Sequence, residues 1–537
     1  MVYCLDCRYK ASAEPLIYPS CTFQEGITMA RPDILVFMCD QLNAGVLSCY
    51  GGQVPTPNID ALAQTGVRFS SAVCPTPFCS PSRASMITGV YPHSHGITYN
   101  VNKRDYPAIS SPDTEEGIWC EDITTDRLLH EEGYETHHYG KFHLMDDTLP
   151  YYPDMFGEHH EYEKIMRDTF EQVRSRDPSE WMDWYDWILP VKQSTEFAEA
   201  AAAVRDRWEG TRLDEFIAKM GMLELPWERT FDYMTAERTV QMLEKECTGP
   251  RMITCSFNYP HDPNVVPERY YSMFDPSEVS LPANYETLEE RFEGDRSRRI
   301  LKDLGETGVR EFSRIYFGCV KMIDDLVGRV MDGLERSGRL DNTIVVFTAD
   351  HGDMCGGHGM VWKSTSSFYE EVVRVPLIIR FPGKCAPRVA ESPVNLTDIM
   401  PTLLEAAGAE VPAHVEGVSM WPMICGDKKW QDFPEYTFSE RLAVSPDHSR
   451  AIGPERDGHF MIRSRDWKFC RYSTGEEFLY SLRDDPGETA DVSGVKTYTA
   501  VKETLAAELD RWLASRSADN YTAVVAAARN STGQPES

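Results

Sequence analysis

Residues 342–353, NTIVVFTADHGD, hold a short unbroken apolar run that passes directly into Asp350-His351-Gly352-Asp353. A continuous apolar run of this length reads as a strand covered on both faces. The same pattern recurs along the chain. Asp33–Cys39 is apolar and ends at Asp40-Gln41, Met252–Asn258 ends at Pro260-His261-Asp262-Pro263, and Glu135–Tyr139 delivers Gly140-Lys141-Phe142-His143. Pro376–Phe381 is a further strand candidate. Between these runs, Pro57–Gln64 reads as a helix stopped by Gly66, Glu311–Arg336 as a long amphipathic helix, and Asp398–Ala407 as a helix closed by Gly408. Strands alternating with helices predict an α/β fold with a large, mostly parallel central sheet flanked by helices. In such sheets functional groups gather outside the carboxyl ends of the strands, so one site can collect all four polar clusters.

Residues 79–89, Cys-Ser-Pro-Ser-Arg-Ala-Ser-Met-Ile-Thr-Gly, read as a helix entrance. Ser80 is a candidate cap, Pro81 sits where a missing N–H does no harm, and Gly89 closes the helix. A helix N-terminus presents unpaired N–H groups and a partial positive charge, which suits an anion. Cys79 lies at that mouth, and Arg83, one turn on, shares its face.

Cys-x-Pro-Ser-Arg followed by four residues and Thr-Gly resembles the signature of the type I, formylglycine-dependent sulfatases of the alkaline-phosphatase-like superfamily. The resemblance runs from about residue 31 to 515, interrupted mainly at 145–250. It implies that Cys79 is oxidised to formylglycine, whose hydrated aldehyde is the nucleophile, by a formylglycine-generating or other sulfatase-maturing enzyme. It also implies one divalent ion, calcium in most members with magnesium or manganese as alternatives, on Asp40, Gln41, Asp350 and His351. Three oxygen ligands and one nitrogen suit a hard cation. Gln41 and His351 depart from the Asp-Asp and Asp-Asn pairs of many members. Lys141 and His143 match the family's Gly-Lys-x-His, His261 its Pro-His-x-Pro, and Lys363 the lysine beyond the Asp-His segment.

The roles implied are Arg83 to orient the nucleophile, Lys141 and Lys363 to stabilise the transferring group, and His261 to protonate the leaving alcohol. His143 is implied as the base that releases sulfate. The expected activity is that of a sulfuric ester hydrolase on a sulfated carbohydrate or other small alcohol. The alternatives are a phosphonate monoester hydrolase or phosphodiesterase on the same site and a choline-sulfatase-like enzyme. His358 and Trp362, close to Lys363, are subsite candidates.

Composition bounds the rest. At 537 residues the chain holds more than one domain. A formal charge of −31 argues against nucleic acid and anionic membrane as partners and requires local cations to hold an anionic substrate. No apolar run reaches the length of a membrane span. Residues 1–29 lack a secretory h-region and read as a tail, and Cys4 and Cys7 form a lone Cys-x-x-Cys. The fifteen cysteines are scattered, many in apolar runs such as Cys39, Cys255 and Cys319, which suits reduced thiols in a cytoplasmic protein.

The expected organisation is a catalytic domain over 30–425 with a helical insertion at about 145–230, a C-terminal α+β subdomain over 426–516, and a tail over 517–537. In the insertion Trp181, Trp184, Tyr185 and Trp187 lie close together, as helix packing or a subunit contact of a homo-oligomer, with a sugar-stacking wall as the alternative. In the subdomain Phe460–Tyr472 and Glu477–Leu482 suggest antiparallel strands, followed by a helix at Thr499–Ala514.

Overall fold

A computed structural model of the chain describes residues 31–101, 123–144, 191–207, 217–218, 220–287, 296–363, 367–442 and 458–515. Seven strands form the main sheet: β1 (Asp33–Asp40), β2 (Val67–Phe69), β3 (Glu135–Gly140), β4 (Arg251–Pro260), β5 (Thr343–Ala349), β6 (Leu377–Arg380) and β7 (Arg388–Ala390). Their order is β7-β2-β6-β5-β1-β4-β3. Pairings of β1 with β4 and β5, of β3 with β4, and of β2 with β7 are parallel; only β6 runs against its neighbours. Every residue of β1 and β5 is buried, which explains their unbroken apolar character.

The register of the strands places the site. Cys39 lies beside Ala349, Asp40 beside Pro260, and Gly140 beside Ser256. Four neighbouring strands of one direction therefore end side by side, and the polar residues after each meet at one edge. Gly140 is required there. It has φ +93°, and a Cβ would lie 1.9 Å from the Ser256 carbonyl oxygen.

Helix α1 (Cys79–Thr88) is buried throughout and closes at Gly89 with φ +68°. It begins two residues earlier than a Ser80 cap requires. Phe78 is the N-cap, without a side-chain hydrogen bond, and the Ser80 hydroxyl donates instead to the His143 carbonyl at 2.6 Å. Helix α2 (Phe231–Glu244) packs on α3 (Arg296–Arg336), which is longer than expected and is interrupted by Gly305 at φ +63°. Helix α4 (Ile399–Ala407) closes at Gly408 as read.

Within the expected helical insertion, the described residues hold short strands beside a helix. Alongside the helix Thr195–Val204, Val191–Lys192 pairs with Gly221–Leu223, which pairs with Val265–Pro267. The tryptophan cluster at 181–187, the Cys4/Cys7 pair and both expected tails lie outside the described residues.

Strands β8 (Thr437–Leu442), β9 (Gly458–Arg463), β10 (Trp467–Arg471) and β11 (Glu477–Ser481) form a separate antiparallel sheet. Helix α5 (Thr499–Ser515) covers it through Leu505 and Leu509, which pack with Phe460, Ile462, Phe469 and Leu479. This sheet is joined to the rest by polar contacts. The Glu440 side chain accepts from the His93 backbone N–H at 2.7 Å, and Lys468, fully buried, sits 2.8 Å from both Glu370 and Glu488. Cys39, Cys255 and Cys319 are buried free thiols. Among the described residues no helix is long and apolar enough to cross a membrane.

Candidate active site

The Cys79 Sγ lies at the N-terminus of α1, buried, 3.1 Å from His351 Nε2, 3.1 Å from Lys363 Nζ and 3.7 Å from Asp40 Oδ1. Burial opposes its ionisation, but Lys363, Lys141 and His351 outweigh that and hold the thiol well below its ordinary pKa.

Arg83 is buried one turn further along. Its Nε donates to Asp350 Oδ2 at 2.7 Å and one Nη to Asp40 Oδ2 at 3.1 Å, while the other Nη donates to the Lys141 carbonyl at 2.8 Å and Ser256 Oγ at 3.0 Å. One guanidinium thus ties α1 to the ends of β1, β3, β4 and β5. Lys141 Nζ adds a contact to Asp40 Oδ2 at 2.6 Å. Burial and Cys79 push the Asp40 pKa up, but Lys141, His261 and Arg83 prevail and hold it well below the carboxylate range. Burial and the Asp40 charge push Asp350 up.

Lys363 Nζ reaches His261 Nε2 at 2.8 Å and Gln41 Oε1 at 3.3 Å. His261 Nδ1 lies 2.6 Å from the Asp262 carbonyl, to which it donates, leaving Nε2 to accept from Lys363. His143 has φ +58°. Burial and Lys141 press its pKa down to about 4, against the hydrogen bond it shares with Cys79, so the ring is neutral. The catalytic and metal-ligating candidates read from the sequence all converge on this edge of the sheet.

The donor set suits a metal ion. Ligand atoms of Asp40, Cys79, Asp350 and His351 lie within 4.8 Å of one another. His351 Nδ1 is 2.9 Å from the Gly352 carbonyl, an arrangement that turns Nε2 toward the site. Among the described residues, Asp40 Oδ1 has only the long sulfur contact and a 3.9 Å approach from His261. Gln41, at φ +65°, turns Oε1 inward because its Nε2 donates to Asp353 Oδ2 at 2.6 Å.

Asp353, the last residue of the Asp-His-Gly-Asp run, is a site residue that the sequence motif alone does not mark. It is fully buried and also accepts the backbone N–H groups of Cys355 and Trp362. Ser256 and Tyr316, whose hydroxyl donates to the Gln41 carbonyl at 2.6 Å, carried no local signal. The subsite reading of His358 and Trp362 is corrected. His358 stacks on Tyr369 with centroids 3.7 Å apart, and Trp362 donates to Asn264 Oδ1 at 2.7 Å against Phe312; both are buried packing groups.

Cations and a nucleophile position at the carboxyl edge of a parallel sheet define a hydrolytic enzyme that acts on a tetrahedral oxyanion ester. The sulfatase family model matches residues 32–409, and a model for the C-terminal region of N-sulphoglucosamine sulphohydrolase matches residues 356–515. The chain belongs to the sulfatase family, and its reaction is the hydrolysis of sulfate esters.

It is 28% identical to a choline-sulfatase of Rhizobium meliloti, covering 87% of this chain and 83% of that protein. It is 27% identical to an N-acetylglucosamine-6-O-sulfatase of Bacteroides thetaiotaomicron, covering 90% and 87%. Its fold is similar to that of a phosphonate monoester hydrolase from Silicibacter pomeroyi, with a TM-score of 0.70, 24% identity and coverage of 89% and 94%.

Proposed function

We propose that the chain hydrolyses sulfate monoesters of a saccharide, using Cys79 in its formylglycine form and one divalent cation, calcium first among the candidates. The observation that carries this reading is the cluster around Cys79: Lys363 and His351 each lie 3.1 Å from its sulfur, with Lys141 and Arg83 on the adjoining Asp40. Asp40, Gln41, Asp350 and His351 would hold the cation, which would supply Lewis acidity, and residue 79 once oxidised would supply a nucleophilic hydroxyl.

The remaining work falls to side chains already in place. Lys141 and Lys363 neutralise charge on the transferring group, in a buried site where such donors act strongly. Lys363 holds a proton within reach of His261 Nε2, and the pair passes it to the leaving oxygen. Neutral His143 takes up a proton when sulfate departs. Arg83 fixes both carboxylates and therefore the cation seat. Because Cys79 is fully buried, its oxidation by a maturing enzyme precedes folding.

The test is side-by-side kinetics on an aryl sulfate, sulfated saccharides, choline sulfate and phenyl phosphonate. A sulfated saccharide is expected to give the highest kcat/KM. A strong phosphonate preference would replace this reading by that of a phosphonate monoester hydrolase.

A further inference from the structure

Arg441 stands near the end of β8, in the small antiparallel sheet, yet its side chain reaches the catalytic helix. It is 8% exposed. Its guanidinium carbon lies 4.7 Å from the centre of the Phe78 ring and 5.3 Å from that of Tyr99. Phe78 immediately precedes Cys79, and Lys363 Nζ lies 5.5 Å from the centre of the same ring. Arg441 is thus separated by one aromatic side chain from the lysine that contacts the nucleophile position.

Its partners do not account for its charge. The hydrogen bond it makes is from one Nη to the Thr98 carbonyl at 2.7 Å, and among the described residues no carboxylate is within ion-pair distance. Several other buried cations differ. Arg83 has Asp40 and Asp350, Arg463 has Glu370, and Lys468 has Glu370 and Glu488. In a chain with 85 acidic and 54 basic residues, Arg441 contrasts with these carboxylate-paired cations. Its Nε and other Nη make no further hydrogen bond among the described residues, and part of the side chain stays solvent-exposed. Burial lowers its pKa to about 10, and it remains a cation at neutral pH.

A desolvated guanidinium cannot relieve its cost by losing the proton, so it calls for an anion. We infer that Arg441 is a specificity-determining residue that receives a second anionic group, a carboxylate or a further sulfate, on the alcohol half of the substrate. The inference rests on the sulfate-ester reading above and narrows it to sulfated uronates or multiply sulfated sugars. A planar guanidinium holds either oxyanion through paired N–H donors. The same charge disfavours a trimethylammonium leaving group, which argues against a choline-sulfatase-like preference.

The experiment compares kcat/KM for a 2-sulfated uronate, a disulfated glucosamine, a monosulfated N-acetylglucosamine and choline sulfate, in wild type, Arg441→Gln and Arg441→Lys. The ratio of an anionic to the neutral substrate is expected to fall roughly 10- to 100-fold in Arg441→Gln, chiefly through KM, and to recover in part in Arg441→Lys. The ratio of choline sulfate to neutral substrate is expected to rise. Taking ratios cancels any loss of folded protein. Which anionic substrate responds distinguishes carboxylate from sulfate.

Calorimetric binding of the desulfated uronate, with N-acetylglucosamine as control, needs no turnover. If wild type cleaves no sulfate ester but binds the uronate in an Arg441-dependent way, the reaction reading fails and the role of Arg441 stands. Ratios and binding unchanged in Arg441→Gln overturn the inference.

Discussion

The Nζ of Lys363 stands 2.8 Å from Nε2 of His261, so two residues 102 positions apart share one proton beside the nucleophile. Groups that act as one proton relay are not additive. Lys363→Met and His261→Gln are each expected to lower kcat/KM by about 10²–10⁴-fold. The double variant is expected to be little worse than the weaker single variant. Multiplying losses in a double-mutant cycle would show that the two act separately.

Cys79→Ala leaves no covalent route, whereas His261→Ala removes only acid assistance. Activity of Cys79→Ala should therefore fall below that of His261→Ala. The mass of the peptide containing residue 79, measured on active protein, reports the oxidation directly. Comparable residual activity in the two variants, or an unmodified cysteine in fully active enzyme, contradicts the assignment.

Arg83 is the partner that two buried carboxylates share, Asp40 and Asp350. Its removal in Arg83→Met leaves them short of a countercharge, at a cost of about 3–5 kcal/mol. The variant is expected to unfold earlier in chelator and to gain more stability from added calcium than wild type does. Wild type in chelator is expected to lose activity while keeping most of its stability, since Arg83 and Lys141 still face the carboxylates. Thermal unfolding with and without metal checks both statements.

Gly140→Ala places a methyl group against the Ser256 carbonyl and forces φ +93° on a residue with a Cβ. Backbone strain of this kind costs on the order of 1–3 kcal/mol, with the steric clash in addition. The neighbouring Lys141 N–H, bonded to the same carbonyl at 3.0 Å, shifts with it. Denaturant unfolding and kcat are expected to fall together in this variant.

His93 joins the main domain to the small sheet. Its Nδ1 is 2.9 Å from Glu440 and its Nε2 3.3 Å from Glu416, and its ring packs edge-on to Trp512 of α5. Burial opposes protonation, but the two glutamates raise its pKa from 6.5 to about 9. A raised pKa gives stability that is fully present below about 6.5 and is lost as pH climbs to about 9 and beyond. The loss is at most about 3 kcal/mol. The midpoint of unfolding should fall between pH 6 and pH 9.5, and His93→Gln should flatten that fall. An equal decline in both proteins would remove His93 from the account.

The chain's own order of residues determined much of this molecule. Buried parallel strands need apolar side chains on both faces, so β1, β4 and β5 are visible as unbroken runs, and the polar residues just beyond them mark the site. The helix from Cys79 to Gly89 is legible for the same local reason, since punctuation by proline and glycine acts within a few residues. The tertiary structure alone decided the rest. That β6 runs antiparallel, that Asp353 aims Gln41, that Ser256 and Tyr316 brace the site, and that Arg441 crosses from a second sheet to Phe78 all depend on contacts between distant segments. Such contacts leave no periodicity or spacing in the sequence, because register and docking, not neighbouring residues, create them.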